Sequence, residues 1–140
     1  MACSAEKRSI GPQAPLTPPS GPDDPRAKVI ETNAYQISDG GRLFRWHGCD
    51  QCHTETSPGA ANLTRFGRRY GGTTVQLYAS IAHGRPDGMP AYADKVASQQ
   101  IWQLAAYVRS LPRLSAAKRL RSSSEQQGEG QGDRWAGPLG

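Results

Sequence analysis

Two thiols three positions apart, followed at once by an imidazole, stand in the segment Cys49-Asp50-Gln51-Cys52-His53. This C-x-x-C-H spacing is that of covalent c-type haem attachment. The physical reason is reach. Thiols so placed can form thioethers to the two vinyl groups on one edge of a porphyrin, and the adjacent imidazole of His53 then swings beneath the ring to bind iron. Other chemistries open to a C-x-x-C pair lack their context here. A thioredoxin-type redox pair wants a βαβ pattern, which is absent. A zinc site wants two more ligands at matched spacing, and only Cys3, His47 and His83 remain, none suitably paired. A disulfide between residues three apart closes almost no loop.

A second axial ligand decides between electron transfer and ligand chemistry. Met89 lies in Gly84-Arg85-Pro86-Asp87-Gly88-Met89-Pro90-Ala91-Tyr92, a loop stiffened by its prolines where a thioether would have to be held near iron. Met1 is the only other methionine. Gap filling is the usual role of an isolated methionine. Met89, however, lacks the helical stripe that core packing would give it. His83, six residues earlier, is the next candidate ligand and reads more simply as a helix-terminal histidine. His47 reads as structural or exposed.

The elements that must position these groups are helical. Ser38 or Asp39 can cap a short helix carrying Leu43, Phe44 and His47 and ending at Gly48. Thr73 or Thr74 can cap a second, with Leu77, Tyr78 and Ile81 on one face and Gly84 and Pro86 as its stop. The third is the clearest: after Ser98, the residues Ile101, Leu104, Ala105, Val108 and Leu111 recur at helical spacing until Pro112 closes the run. No stretch alternates as a strand. The expected fold is therefore all-α, three to four short helices with long connections, too little structure to pack without something in the middle. A haem is a large apolar plate of the kind such a fold can wrap.

Composition agrees with that partition. Of the 80 residues from 35 to 114, 33 are apolar, against 17 of the 60 in the two flanks. A core this small usually needs a staple such as a metal or cofactor. The proline-rich stretch 11–25 reads residues 1–34 as a tether, and the Ser-, Gln- and Gly-rich stretch 115–140, with Trp135 as its one aromatic residue, reads as a disordered tail. The net charge of +5 divides as 0, +4 and +1 over these three parts, so the positive excess sits on residues 35–114. Basic surfaces suit acidic partners in general. A nucleic-acid binder would leave the haem motif unused, and no nucleic acid is expected here. No run of 18 apolar residues is present.

Over residues 35–114 the chain resembles the class I, small monohaem cytochromes c of bacterial respiratory chains. The likeness rests on Gly40, Gly41 and Phe44 before the haem motif, Gly48-Cys49-x-x-Cys52-His53 itself, Asn62-Leu63, Tyr70-Gly71, the loop Gly84 to Pro90, and the final run Ile101 to Leu111. It implies a cytochrome c fold around one covalent haem c, with thioethers at Cys49 and Cys52 and iron held by His53 and Met89. It also implies that a glycine of the first helix, Gly40 or Gly41, lets an aromatic of the last, Trp102 or Tyr107, approach closely. Leu63, Phe66, Tyr70, Leu77, Tyr78, Ile81, Tyr92 and Trp102 become candidate pocket walls, and Arg68, Arg69, Tyr70 or Arg85 candidate donors to the propionates. One departure stands out: Pro58-Gly59-Ala60-Ala61-Asn62-Leu63 lacks the Gly-Pro-x-Leu form common in the family. Which carbonyl holds the axial imidazole is thereby left open.

The function implied is that of a one-electron carrier rather than an enzyme, passing electrons between a dehydrogenase or quinol-oxidising cytochrome complex and a terminal oxidase. The alternative is a ligand-binding or peroxidase-like haem protein with Met89 off the iron. Covalent haem attachment in the families resembled takes place outside the bacterial cytoplasm, so a periplasmic location is expected. Met1-Ala2-Cys3-Ser4 looks like the end of a trimmed lipoprotein signal, which would make Cys3 a lipid anchor to the membrane.

Overall fold

A computed structural model describes residues 13–54, 57, 61–64, 70–86 and 88–113. These form four helices: α1 Arg26–Ile30, α2 Ala34–Trp46, α3 Thr74–His83 and α4 Ser98–Ser110, with 3₁₀ turns at Cys49–Gln51 and Leu111–Arg113. Among the described residues there is no strand beyond an isolated bridge between Arg85 and Met89. The all-α expectation is met.

Helix α2 begins five or six residues earlier than the Ser38/Asp39 reading. Asn33 is the cap, its side chain accepting from the backbone N–H groups of Tyr35 and Gln36 at 3.0 and 3.2 Å. Ser38 and Asp39 instead lie inside the helix, where Asp39 forms an ion pair with Arg42 one turn on. Gly48, at φ +73°, stops the helix in a conformation that a side chain would strain, and so turns the chain into the 3₁₀ turn that carries Cys49. Helix α3 starts as expected: Thr73 and Gln76 exchange side-chain and backbone bonds as a capping box. Helix α4 has no side-chain cap, because the cap position is Ala97, whose methyl group cannot accept; the Ser98 hydroxyl that follows pairs with the Tyr78 hydroxyl at 2.7 Å.

Helix α4 is the centre of the molecule. Every residue from Ile101 to Val108 is buried, since α2 covers one side, α3 a second and the N-terminal segment a third. Its one strongly polar side chain in that run, Gln103, donates to the Gln36 side chain at 2.6 Å, so neither buried amide is orphaned. At the α2–α4 crossing the close approach falls on Gly40. A methyl group there would stand 2.7 Å from the Gln103 carbonyl carbon and 2.8 Å from the Tyr107 Cβ. The aromatic facing the glycine is thus Tyr107, while Trp102 packs against Tyr78 with ring centroids 5.4 Å apart. Because the obstacle is backbone, Gly40→Ala forces the two helices apart. The expected loss exceeds about 3 kcal/mol, measured by denaturant unfolding of the haem-loaded protein. A Gly40→Ala midpoint equal to wild type would contradict this packing.

The segment read as a tether does not stay free of the fold. From Ala14, which is fully buried, to Ile30 it lies on the helical core. The Trp102 indole N–H donates to the Thr17 carbonyl at 2.7 Å. Arg26 covers the same indole at 5.5 Å, donates to the Thr17 hydroxyl and the Pro18 carbonyl, and pairs with Asp24. That guanidinium, together with the Ser20 backbone N–H, holds the Asp24 carboxyl well below the usual carboxylate range. Glu31 then accepts from the Thr74 hydroxyl at 2.6 Å and pairs with Arg109, tying the end of α1 to α3 and α4. No apolar period marks such a strap in the sequence, because its bonds run through scattered carbonyls and one arginine. The expected C-terminal tail lies outside the described residues.

Candidate functional site

The described residues of the connections after α2 and α3, with one face of α3 and α4, border a cavity of about 520 Å³ that opens to solvent, within the range of cofactor sites. All four residues singled out by motif line it: Cys49, Cys52, His53 and Met89. They reach it from two segments more than thirty positions apart in sequence.

The first segment is positioned locally. In the 3₁₀ turn after Gly48, the backbone N–H groups of Cys52 and His53 both donate to the Cys49 carbonyl, at 3.2 and 3.0 Å. This folds the C-x-x-C-H run into one compact loop whose Cys49, Cys52 and His53 all line the cavity. The two thiols differ in surroundings. Cys52 is exposed, whereas Cys49 is half-buried and burial pushes its thiol up to about 11. The His53 ring is held from behind: its Nδ1–H donates to the Ala61 carbonyl at 2.9 Å. A carbonyl can only accept, so Nδ1 carries a proton, and in the neutral ring the lone pair is then on Nε2. The carbonyl that the sequence left open is therefore that of Ala61, inside the segment that departs from the common family form. Phe44 stands against both His53 and Tyr107, at 6.4 and 5.3 Å between centroids, and so links the imidazole to the α2–α4 crossing.

The second segment is a rigid loop. Gly84, at φ +73°, reverses the chain at the end of α3, and the Arg85 N–H donates to the Met89 carbonyl at 3.0 Å. A Cβ at Gly84 would stand 2.6 Å from that carbonyl oxygen, so only glycine lets the loop close. Tyr92 and Ala93 donate back to the Ile81 and Ala82 carbonyls, fixing the far side. Met89 is thus aimed by backbone bonds that do not involve its own side chain. Arg85 is aimed as well: its guanidinium donates to the Ser80 hydroxyl at 3.1 and 2.8 Å and lies 4.4 Å from the centre of the Tyr70 ring. Burial, and the neighbouring Cys49 and Cys52, raise the Tyr92 hydroxyl above its ordinary value.

Leu63, Tyr70, Leu77, Ile81 and Tyr92 line the cavity as expected. Tyr78 and Trp102 do not; they are buried on the other side of α3 and α4, against each other and the N-terminal strap. Phe66, Arg68 and Arg69 lie outside the described residues. Leu104 and Val108 form walls that sequence reading did not assign, although their i, i+4 spacing on the α4 stripe was the available signal. His83 is exposed and away from the cavity. His47, read as structural or exposed, lines it: its ring lies 6.2 Å from that of Tyr92 and its Nε2 is buried without a hydrogen-bond partner. Among the described residues no group of three or more His, Cys, Asp and Glu could hold a bare metal ion. The donor set therefore suits a prosthetic group that brings its own equatorial ligands. An apolar cavity, two thiols at one edge, an imidazole with a free Nε2 and an orphaned buried nitrogen all fit a haem.

No solved structure matches this chain significantly. Among characterised proteins it is similar to the cbb3-type cytochrome c oxidase subunit FixP of Sinorhizobium medicae, with 30% identity over 104 residues that cover 66% of this chain and 36% of that protein. The FixP subunit of Rhizobium meliloti is 31% identical over the same shares. The chain thus spans about a third of the length of these relatives. Residues 36–108, just over half of the chain, from the third residue of α2 to Val108 in α4, match the family described as cytochrome c oxidase, cbb3-type, subunit III. The chain belongs to that family, and is an all-α cytochrome c domain that carries covalent haem c.

Proposed function

We propose that this domain carries single electrons through a haem c joined to Cys49 and Cys52 and ligated by His53 and Met89, and that it works in a respiratory chain ending at a cbb3-type oxidase. The observation that supports this most is the convergence of these four residues on one cavity from two independently braced segments. Haem c supplies the one-electron iron couple. The chain supplies the rest. His53 offers an Nε2 lone pair because Ala61 takes the Nδ1 proton, and the same bond stops the ring from turning. Met89 offers a thioether, which favours ferrous iron and so raises the potential. Leu77, Ile81, Leu104 and Val108 keep water from the charged ferric state, which acts in the same direction. Arg85, held by Ser80 and Tyr70, would offer its N–H groups to a propionate carboxylate.

With both ligands fixed by the fold, either oxidation state meets the same surroundings and little has to rearrange as an electron enters or leaves. The reading places the domain on the periplasmic side of the membrane. Among the described residues no helix is long and apolar enough to cross a membrane, and lipid attachment at Cys3 remains a proposal about a residue outside those described. The test is a pyridine haemochrome spectrum with a redox titration of the purified chain. The expected result is haem c with both vinyls saturated, a single one-electron wave and the far-red band of Met-ligated ferric haem. Absence of that band, with carbon monoxide binding to the reduced protein in native buffer, would sink the carrier reading in favour of ligand chemistry.

A further inference from the structure

We infer that Asn62 is a positioning residue for the iron: its side chain holds the Ala61 carbonyl against His53 and so sets how strongly that imidazole donates. This rests on the ligation of iron by His53 proposed above and adds a residue that acts through it. The starting point is covalent. The Ala61 carbonyl belongs to the planar peptide group that ends at the Asn62 nitrogen, so whatever fixes the backbone of Asn62 also directs that oxygen. The same oxygen accepts the His53 Nδ1–H at 2.9 Å.

In Ala60-Ala61-Asn62-Leu63 no proline ring locks the backbone at the acceptor, unlike the Gly-Pro-x-Leu form from which this segment departs. The Asn62 side chain supplies a brace instead. Its Oδ1 accepts from the Thr64 backbone N–H at 3.0 Å and from the Thr64 hydroxyl at 2.5 Å, which closes an Asx turn over residues 62–64. Asparagine is mostly exposed in proteins, yet Asn62 is only 8% exposed. Burying its amide oxygen is tolerable because both bonds are made. Leu63, between the two ends of the turn, lines the cavity and packs against the core. The turn is thereby pinned to the cavity wall, and the Ala61 carbonyl with it.

The consequence for iron follows from where the proton sits. A well-aligned acceptor draws the Nδ1 proton toward itself, raises the electron density on Nε2 and makes the ring a more basic ligand. A more basic ligand favours the higher charge of ferric iron and lowers the potential, opposing the Met89 thioether. Without the turn the peptide group can rotate, and a misaligned hydrogen bond weakens steeply.

The experiment uses the haem-loaded full chain and reads two quantities, the midpoint potential and the solvent exchange rate of the His53 Nδ1 proton by NMR. Asn62→Ala is expected to raise the ratio of reduced to oxidised protein roughly threefold at a given potential, an upward shift of about 30 mV at about 59 mV per tenfold. Its Nδ1 proton exchanges at least about tenfold faster, as protection by the hydrogen bond is lost. Thr64→Val removes one of the two bonds and moves both quantities the same way by less, and it serves where Asn62→Ala does not keep its haem. Asn62→Asp, whose carboxylate can accept both bonds, restores slow exchange while its negative charge lowers the potential. Ser98→Ala is the control for general loosening: it removes the bond to Tyr78, away from the cavity, and leaves both quantities at their wild-type values. Wild-type exchange and potential in Asn62→Ala and Thr64→Val would overturn the assignment. So would equal shifts in Ser98→Ala, or exchange in Asn62→Asp as fast as in Asn62→Ala. A wild-type His53 ring whose resonances are unshifted by ferric iron would instead overturn the ligation itself, and the brace with it.

Discussion

Replacing Cys49 and Cys52 together by serine yields a chain that holds no haem through denaturing extraction and melts without a cooperative transition. The reason lies in what the cofactor covers. The cavity of about 520 Å³ is walled by Phe44, Leu63, Leu77, Ile81, Leu104 and Val108, which are also much of what α2, α3 and α4 have to bury. At about 24 cal/mol per Å³, the cost found for cavities left by core truncation, an empty space of this size costs on the order of 10 kcal/mol. That is an upper bound, since the cavity opens to solvent and water enters, but it matches the whole stability of a typical domain, about 5–15 kcal/mol. Folding and cofactor retention are thus linked as they are in small metal-dependent domains. Helical content would survive only in part, because the α2–α4 crossing at Gly40 and the N-terminal strap do not depend on the cavity. A cooperative melt and native-like near-ultraviolet dichroism in the double variant would show that the four helices pack without haem.

Met89→Ala keeps the fold and the thioethers and changes the iron. The loop around residue 89 is closed by the Met89 carbonyl and anchored by Tyr92 and Ala93, none of which the substitution removes, so the stability of the domain should fall by no more than the packing of one half-buried side chain, roughly 1–2 kcal/mol. The ligand-dependent properties change far more. Axial ligand choice spans about 0.8 V in haem proteins, and losing a thioether lowers the potential, here by roughly 0.2–0.3 V. The far-red band disappears and carbon monoxide binds the reduced variant in native buffer. Titration and spectra of Met89→Ala that match wild type would exclude Met89 as a ligand and reopen the sixth position. His47, with its buried unpartnered Nε2 at the cavity wall, would then come before His83, which is exposed and remote.

Much of the site was legible because its signals are local. The C-x-x-C-H run is a covalent pattern whose five residues need only a tight turn after Gly48 to function. Met89 was legible for a related reason, since a methionine between glycine and proline has no helical stripe to join. The helices were legible where a cap and an apolar period agreed, as at Thr73 and along Ile101 to Leu111. They were less so at α2, where Ser38 and Asp39 offered capping chemistry nearer the apolar residues than Asn33, the residue that caps. The walls divided by face. Leu77 and Ile81 turn toward the cavity while Tyr78, next to Leu77 in sequence, turns away toward Trp102. Adjacent residues on a helix point about 100° apart, so an apolar cluster on α3 had to be split, and sequence carries no label for the side the cofactor takes.

The chemistry proposed for this protein follows from residue types and spacings alone: two thiols and an imidazole that would hold a haem, a stiff methionine loop, helices too few to pack unaided. These are properties of short windows, in which covalent reach and backbone preference act over a handful of bonds. Assembly depended on contacts between distant positions. The fold chose the Ala61 carbonyl to orient His53 and Gly40 to admit Tyr107. It set Ser80 and Tyr70 around Arg85, and drew the proline-rich segment from Ala14 onto Trp102 instead of leaving it as a tether. Each of those is a hydrogen bond or close approach whose partner is specified only once α2, α3 and α4 have packed, because a carbonyl or a glycine looks the same in sequence wherever it ends up.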